Sequence, residues 1–175
     1  MGGVEEGGGR RHLGNKTLVA IAVEIRGSAL GRIRLQRVRD SSAESLLPFD
    51  RNAVTPGAHV ITDGWPSYAG LTAAGYRHEP HVARRSGEAA DTLLPRVHRV
   101  ASLLKRWLLG THQGRPERTH LPYYLDEFAF RFNRRTPRHR GLLFYRLLQQ
   151  AVAVDPVPYE RLIGGHDTAR PQQLG

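Results

Sequence analysis

The chain changes its hydrophobic rhythm part-way along. Thr17 to Ile25 (TLVAIAVEI) is a continuous apolar run rich in β-branched residues, the pattern of a buried strand. Arg26-Gly27-Ser28 begins a turn. Gly31 to Val38 then sets Ile33, Leu35 and Val38 among arginines, which predicts a half-buried strand pairing with the first as a hairpin. Asp40-Ser41-Ser42 supplies helix N-cap chemistry with Glu44 in the first turn. The predicted helix covers SAESLLPFDRN, and Pro48 is expected to kink or shorten it. After a Thr55-Pro56-Gly57 turn, His59 to Thr62 is a short strand ending at Asp63-Gly64. SYAGLTAAG is a short helix closing on Gly75, and Tyr76 to Val82 is another strand. ARRSGEAAD reads as loop.

From there the period is helical. Val97, Val100, Ala101, Leu104, Trp107 and Leu108 recur at three- and four-residue spacing, with Gly110 as the expected terminator. A second helix is predicted from Thr119 to Arg134, with Leu121, Tyr124, Leu125, Phe128 and Phe132 on one face. Thr136-Pro137 stops it, and a third helix runs from Gly141 to Val152. Trp107, Phe128 and Phe132 are assigned to the core. Residues 1–15 form a glycine-rich loop, 16–152 a domain and 153–175 an irregular tail. A hairpin feeding a mixed sheet with helices on its faces predicts an α/β or α+β sandwich.

Composition narrows the function. At 175 residues the chain suits one domain, and 39% hydrophobic with 24% charged residues allows a packed core. Cysteine is absent, which excludes disulfide scaffolds, thiol nucleophiles and thiolate zinc sites. No apolar run approaches the ~20 residues of a membrane span. MGGVEEGGGRRH lacks the apolar core of a signal peptide. The expectation is a soluble cytoplasmic protein with no membrane partner. The net charge is +10, and all cations but Lys16 and Lys105 are arginine. Arginine contacts phosphate bidentately and stacks on bases, so a nucleic-acid partner is expected, although a GC-rich genome raises arginine as well. Between Arg96 and Arg140 stand eleven Lys/Arg against three acids, and such concentration favours a polyanion partner.

Candidate chemistry is sparse. His78 and His81 flank Pro80 in a strand-like context and read as surface histidines, and His112 as a cap or loop residue. Asp63 lies at the carboxyl end of a strand, where open sheets bind ligands; a carboxylate followed by glycine can hold a hard cation, or simply form an Asp-Gly turn. His98 and Lys105 are seven residues apart, two helical turns, and so share a face flanked by Arg99, Ser102 and Arg106. That face either holds a metal and phosphates or is a solvated basic surface. Trp65 and Tyr68 either line a DNA groove or plug the sheet edge.

Three strings occur in order: ITDGWPSYAGLTAAGY, SLLKRWLLGTH and YLDEFAFRFNRR. They resemble the DDE-superfamily transposases of bacterial insertion sequences, in the ISXO-two-like branch, over about Met1 to Arg146. The resemblance implies an RNase H-like mixed sheet with flanking helices. It also implies DNA strand cleavage and transfer with two divalent ions, Mg²⁺ or Mn²⁺. The second acidic ligand falls on Asp63 and the third catalytic position on His98, making both metal ligands. Lys105 matches a lysine that meets the DNA end, with Arg106, Arg99 and Trp65 as further DNA contacts. DNA is the implied partner, with a homo-oligomer as one arrangement.

The first aspartate of the family lies in a DETYVGG-like string whose end coincides with Met1-Gly2-Gly3. The expectation is therefore a chain lacking its first, central strand, with unpaired edges on either side. Losing a bridging carboxylate costs several kcal/mol of transition-state stabilisation, each ~1.4 kcal/mol being tenfold in rate. Impaired catalysis is expected, and a non-catalytic DNA-binding remnant is the alternative. A basic structural protein with no such ancestry is disfavoured by the DGW and FRFNRR strings. An in-frame Asp-Glu-Thr-Tyr-like sequence upstream of Met1 is the expected finding if the start is misassigned; unrelated sequence there contradicts it.

Overall fold

The structure is a computed structural model that describes residues 17–81, 94–112, 117–136 and 141–160. β1 (Leu18–Arg26) and β2 (Ala29–Val38) lead to α1 (Ala43–Ala53). β3 (His59–Thr62), a 3₁₀ turn (Pro66–Leu71) and β4 (Arg77–Pro80) follow. α2 (Pro95–Thr111), α3 (Leu121–Asn133) and α4 (Gly141–Val152) complete the order. The predicted ARRSGEAAD loop, the glycine-rich residues 1–15 and the tail beyond Glu160 lie outside the described residues.

β1 and β2 pair antiparallel, turning at Gly27, whose φ of 56° suits a residue without Cβ. Ile21 faces Leu35 and Val23 faces Ile33. These side chains, with Val19, enter a core built by Val100 and Leu104 of α2 and Leu121, Leu125, Phe128 and Phe132 of α3. The alternate positions, Leu18, Ala20, Ala22 and Val38, meet Leu46 and Phe49 of α1. The hairpin is thus the middle layer of a helix–sheet–helix sandwich. Burial on both faces explains why β1 reads as an unbroken apolar run.

Two expectations about helix ends change. α1 runs through Pro48 without interruption. The amide that proline lacks would pair with the Glu44 carbonyl in the first turn, where both residues are exposed and water can serve instead. α2 passes Gly110 and ends at Thr111, capped by His112, whose amide donates to the Leu108 carbonyl at 3.0 Å. The His112 ring stacks on Tyr124 of α3 at 3.9 Å, so a tertiary contact sets the helix end. Gly75 does close its turn as predicted, with φ 88°.

β3 and β4 pair in parallel, His59 beside Arg77 and Thr62 beside Pro80. Among the described residues the strands form two separate two-stranded sheets, β1–β2 and β3–β4, and no continuous mixed sheet. Among the described residues β1 pairs with β2 alone and β3 with β4 alone.

The edge of β2 is closed by a side chain. Ile33, 1% exposed, donates its amide to Asn133 Oδ1 at 2.7 Å, and Asn133 Nδ2 donates to the Ile33 carbonyl at 3.0 Å. The carboxamide therefore stands in for a neighbouring strand. Arg135 continues the seal by donating to the Leu30, Gly31 and Phe132 carbonyls, with its guanidinium 4.1 Å from the Phe132 ring centroid. Replacing Asn133 by Ala leaves a buried donor and acceptor unmatched, and the expected loss is about 2–4 kcal/mol of unfolding free energy. Urea unfolding measures it, with Ser102→Ala on the exposed face of α2 as the control; an Asn133→Ala loss within ~0.5 kcal/mol of that control contradicts the clasp.

Candidate active site

The loop bearing Asp63 is held from below. Asp40 Oδ1 accepts the Ser42 amide at 3.0 Å and the hydroxyls of Ser42 and Ser45 at 2.5 and 2.7 Å. Those hydroxyls, then the Ser42 amide and Arg39, hold the Asp40 carboxyl far below the usual carboxylate range. Ser42 makes no side-chain cap bond of its own, so Asp40 does the capping work from two residues upstream. The adjacent Ser41 carbonyl accepts the Trp65 indole N–H at 3.0 Å and the Ser67 hydroxyl at 2.6 Å. The start of α1 and the loop after β3 are thereby tied together.

Asp63 sits on that loop, one residue past β3, and is exposed. Its Oδ1 accepts the Trp65 amide at 3.1 Å, and Gly64 takes φ 72°. Thr62 before it is buried and bonds His78 Nε2 at 2.9 Å and the Gly64 amide at 3.3 Å. The Trp65 ring packs with Tyr68 against Ala20, Val38, Leu46 and Phe49. Its apolar body belongs to the α1-side core, and its indole nitrogen is spent on Ser41.

The predicted basic ridge is at the surface. Val100 and Leu104 fix the buried side of α2, and His98, Arg99, Ser102, Lys105 and Arg106 are all exposed on the other. Arg96 at the start of the helix donates to the Gly27 carbonyl at 2.9 Å, pinning that end to the hairpin turn. His98, Arg99, Lys105 and Arg106 thus share one element, and Asp63 and Trp65 share another. Among the described residues no three His, Asp or Glu side chains converge as a metal site. Asp63 offers one hard oxygen donor suited to Mg²⁺ or Mn²⁺, and His98 offers a nitrogen that suits Mn²⁺ better than Mg²⁺.

The histidines near β4 have other partners. His59 and His81 sit on opposite oxygens of Glu79 at 2.7 and 2.6 Å, and the His81 contact leads in lowering the Glu79 pKa. His78 is engaged by Thr62, so His78 and His81 do not form a pair.

One acidic residue was not singled out from the sequence. Asp50 is 6% exposed on the core side of α1, and its Oδ2 makes no hydrogen bond. Burial pushes its pKa up to about 6. Tyr68 beside it is pushed up to about 12, first by burial and then by the negative fields of Asp50 and Asp63. The signal was present: Leu46, Phe49, Asp50 and Ala53 follow the i, i+3, i+4, i+7 pattern of a buried face.

A family model described as the ISXO2-like transposase domain matches residues 2–133. The chain belongs to the ISXO2-like transposase family. No curated protein and no solved structure matches it. Membership implies DNA as the partner of this transposase domain. The matched stretch ends on Asn133, the residue that clasps β2, and α4 lies beyond it. No described helix of the transposase domain is long and apolar enough to cross a membrane.

Asp50 makes stability pH-dependent in a definite direction. Its pKa is higher folded than unfolded, so the folded state binds more protons between about pH 4 and 6 and stability falls as pH rises through that window. Asp50→Asn removes the cost of ionising a buried carboxyl, and at pH 7.5 the variant is expected to be more stable by on the order of 1–2 kcal/mol, with the gain absent at pH 4. Thermal unfolding across pH measures this, and an equal effect of the variant at both pH values contradicts it.

Proposed function

We propose that this transposase domain binds the ends of an insertion sequence and is built for metal-dependent DNA strand cleavage and transfer on an RNase H-like frame. The observation that carries this is the exposed face of α2, where His98, Arg99, Lys105 and Arg106 stand together at the surface of a transposase-family domain. A hairpin covered by helices on both faces, followed by a parallel strand pair ending in Asp63, supports the frame.

In this reading Asp63 is the residue that holds a divalent ion, with His98 at the third catalytic position. A divalent ion held there would supply activation of the attacking oxygen and stabilisation of the departing one. Lys105, Arg106 and Arg99 neutralise phosphates along two turns of helix and hold the DNA end in register. Trp65 keeps the Asp63 loop rigid through its packing and its bond to Ser41, with its exposed edge toward DNA.

Binding to labelled element-end duplexes across a salt series tests this. The affinity is expected to fall steeply with salt, and Lys105→Ala and Arg106→Ala are each expected to reduce the log–log slope by about 1. Mn²⁺-dependent nicking is expected to be weak and to vanish in Asp63→Asn with DNA affinity retained. Salt-sensitive binding with no nicking under either metal favours the alternative, a non-catalytic DNA-binding remnant that competes with a full-length transposase. Binding unaffected by both α2 substitutions contradicts the proposal.

A further inference from the structure

The end of α3 puts its two faces to different uses. Phe128 and Phe132 are buried in the core. Phe130, between them in sequence, lines the other side, with the Arg134 guanidinium 4.0 Å from its ring centroid. An apolar groove of about 280 Å³ opens there between α3 and α4, lined by Phe130, Arg131, Arg134, Leu143, Phe144 and Leu147. Phe144 is 67% exposed on its wall. Cations gather at this groove. The bonds between Ile33 and Asn133 bring their neighbours Arg32 and Arg134 to one edge of β2. Burial first, and then the positive fields of Arg32 and Arg146, lower the Arg134 pKa, so three guanidiniums share one electrostatic neighbourhood. Glu24 is spent on Arg26 and on the Arg32 amide, and Glu127 on Arg131. Arg146 donates to the neutral Gln149 Oε1 at 3.0 Å, which does not offset its charge. From Arg131 to Val154 the sequence holds six arginines and no Asp or Glu.

We propose that the groove between α3 and α4 binds single-stranded nucleic acid, an unpaired base lying against Phe144 and Phe130 while the flanking phosphates meet Arg32, Arg134 and Arg146. None of these residues belongs to the α2 ridge or the Asp63 loop, so this second site does not rest on the reading of those residues. The chemistry of the wall selects the occupant. It must be anionic, because three like charges are held together; a second copy of the chain would only set the same arginines against each other. It must also bring flat apolar surface next to its charge, to cover Phe130 and Phe144. A duplex keeps its bases stacked inside and offers phosphate to such a groove, leaving the rings bare. An unpaired strand alternates the two, phosphates on cations and base faces on aromatic rings. Arg134, lying over Phe130, serves both, since a guanidinium stacks on planar groups and pairs with phosphate. A membrane-surface helix carries its cations along its own polar face, and α4 has Arg146 alone.

Fluorescence anisotropy of the full chain with a labelled oligothymidylate of about 12 nucleotides tests this. Affinity is expected to fall with salt, and Arg146→Gln to reduce the log–log slope by about 0.7, the value for one phosphate contact on a single strand. Phe144→Ala is expected to weaken binding roughly 10-fold and Phe144→Tyr to preserve it, because what is lost is a stacking ring. The Phe144 side chain is exposed, so helicity by circular dichroism is expected to be unchanged. An abasic strand of equal length and charge separates stacking from charge: the wild-type chain is expected to bind it roughly 10-fold more weakly than oligothymidylate, and Phe144→Ala to lose most of that preference. If the alanine variant misfolds, Phe144→Leu, which keeps the bulk and removes the ring, decides by the same comparison. Duplex binding through α2 is expected to be unchanged in Phe144→Ala, so the two sites fail separately. Equal wild-type affinity for the thymidylate and abasic strands, oligothymidylate binding indifferent to the loss of the Phe144 ring, or a preference for polyglutamate or phosphatidylserine vesicles over the oligonucleotide would overturn the proposal.

Discussion

A carboxamide holds this domain in register. Asn133 exchanges two hydrogen bonds with the backbone of Ile33, a hundred residues away, and so joins the last turn of α3 to the outer strand of the hairpin. Ile33 is also among the most buried side chains, at the centre of the core shared by β2, α2 and α3. The clasp therefore fixes three things together: the edge of the hairpin, the rotation of α3 and the surface on which α2 lies. An apolar core alone is tolerant of small slips. A pair of buried polar groups is not, because any slip strands both.

The functional surfaces follow from that frame. Val100 and Leu104 commit one side of α2 to the core, which leaves His98, Arg99, Lys105 and Arg106 no place but solvent. On the other side of the hairpin, Asp40 organises the start of α1, and Ser41 beside it captures Trp65 and Ser67. Asp63 is presented at the surface by this second set of contacts. The two halves of the proposed site are thus supported by different layers, and the hairpin is the element common to both.

Much of this was legible in the chain. The strands, the helices and the two faces of the hairpin follow from periodicity, because burial on a strand or helix dictates which positions must be apolar. The exposed ridge on α2 followed from a seven-residue spacing. The FRFNRR string marked the family, but its chemistry was hidden. Asn133 and Arg135 act on backbone carbonyls and amides of β2, which have no sequence signature. Asp50 sat on a clear apolar stripe, where a lone acid is easily passed over as a surface residue. The run of α2 past Gly110 depends on His112 stacking on Tyr124, a contact between elements that local pattern cannot register. That the described strands pair as two separate sheets lies equally beyond local pattern, since strand pairing is a long-range property.

The proposed function requires Asp63 and the α2 ridge, which lie on different layers of the hairpin, to serve one DNA-processing site. Mn²⁺ is a direct probe, because its unpaired electrons broaden the magnetic resonance signals of nearby nuclei. Titrating the DNA-bound chain, labelled with ¹⁵N in its imidazoles, with substoichiometric Mn²⁺ should broaden the His98 ring signals selectively, and Asp63→Asn should restore them. Sharp His98 signals alongside broadened His59 and His81 signals, or broadening of His98 that persists without the Asp63 carboxylate, would contradict the account.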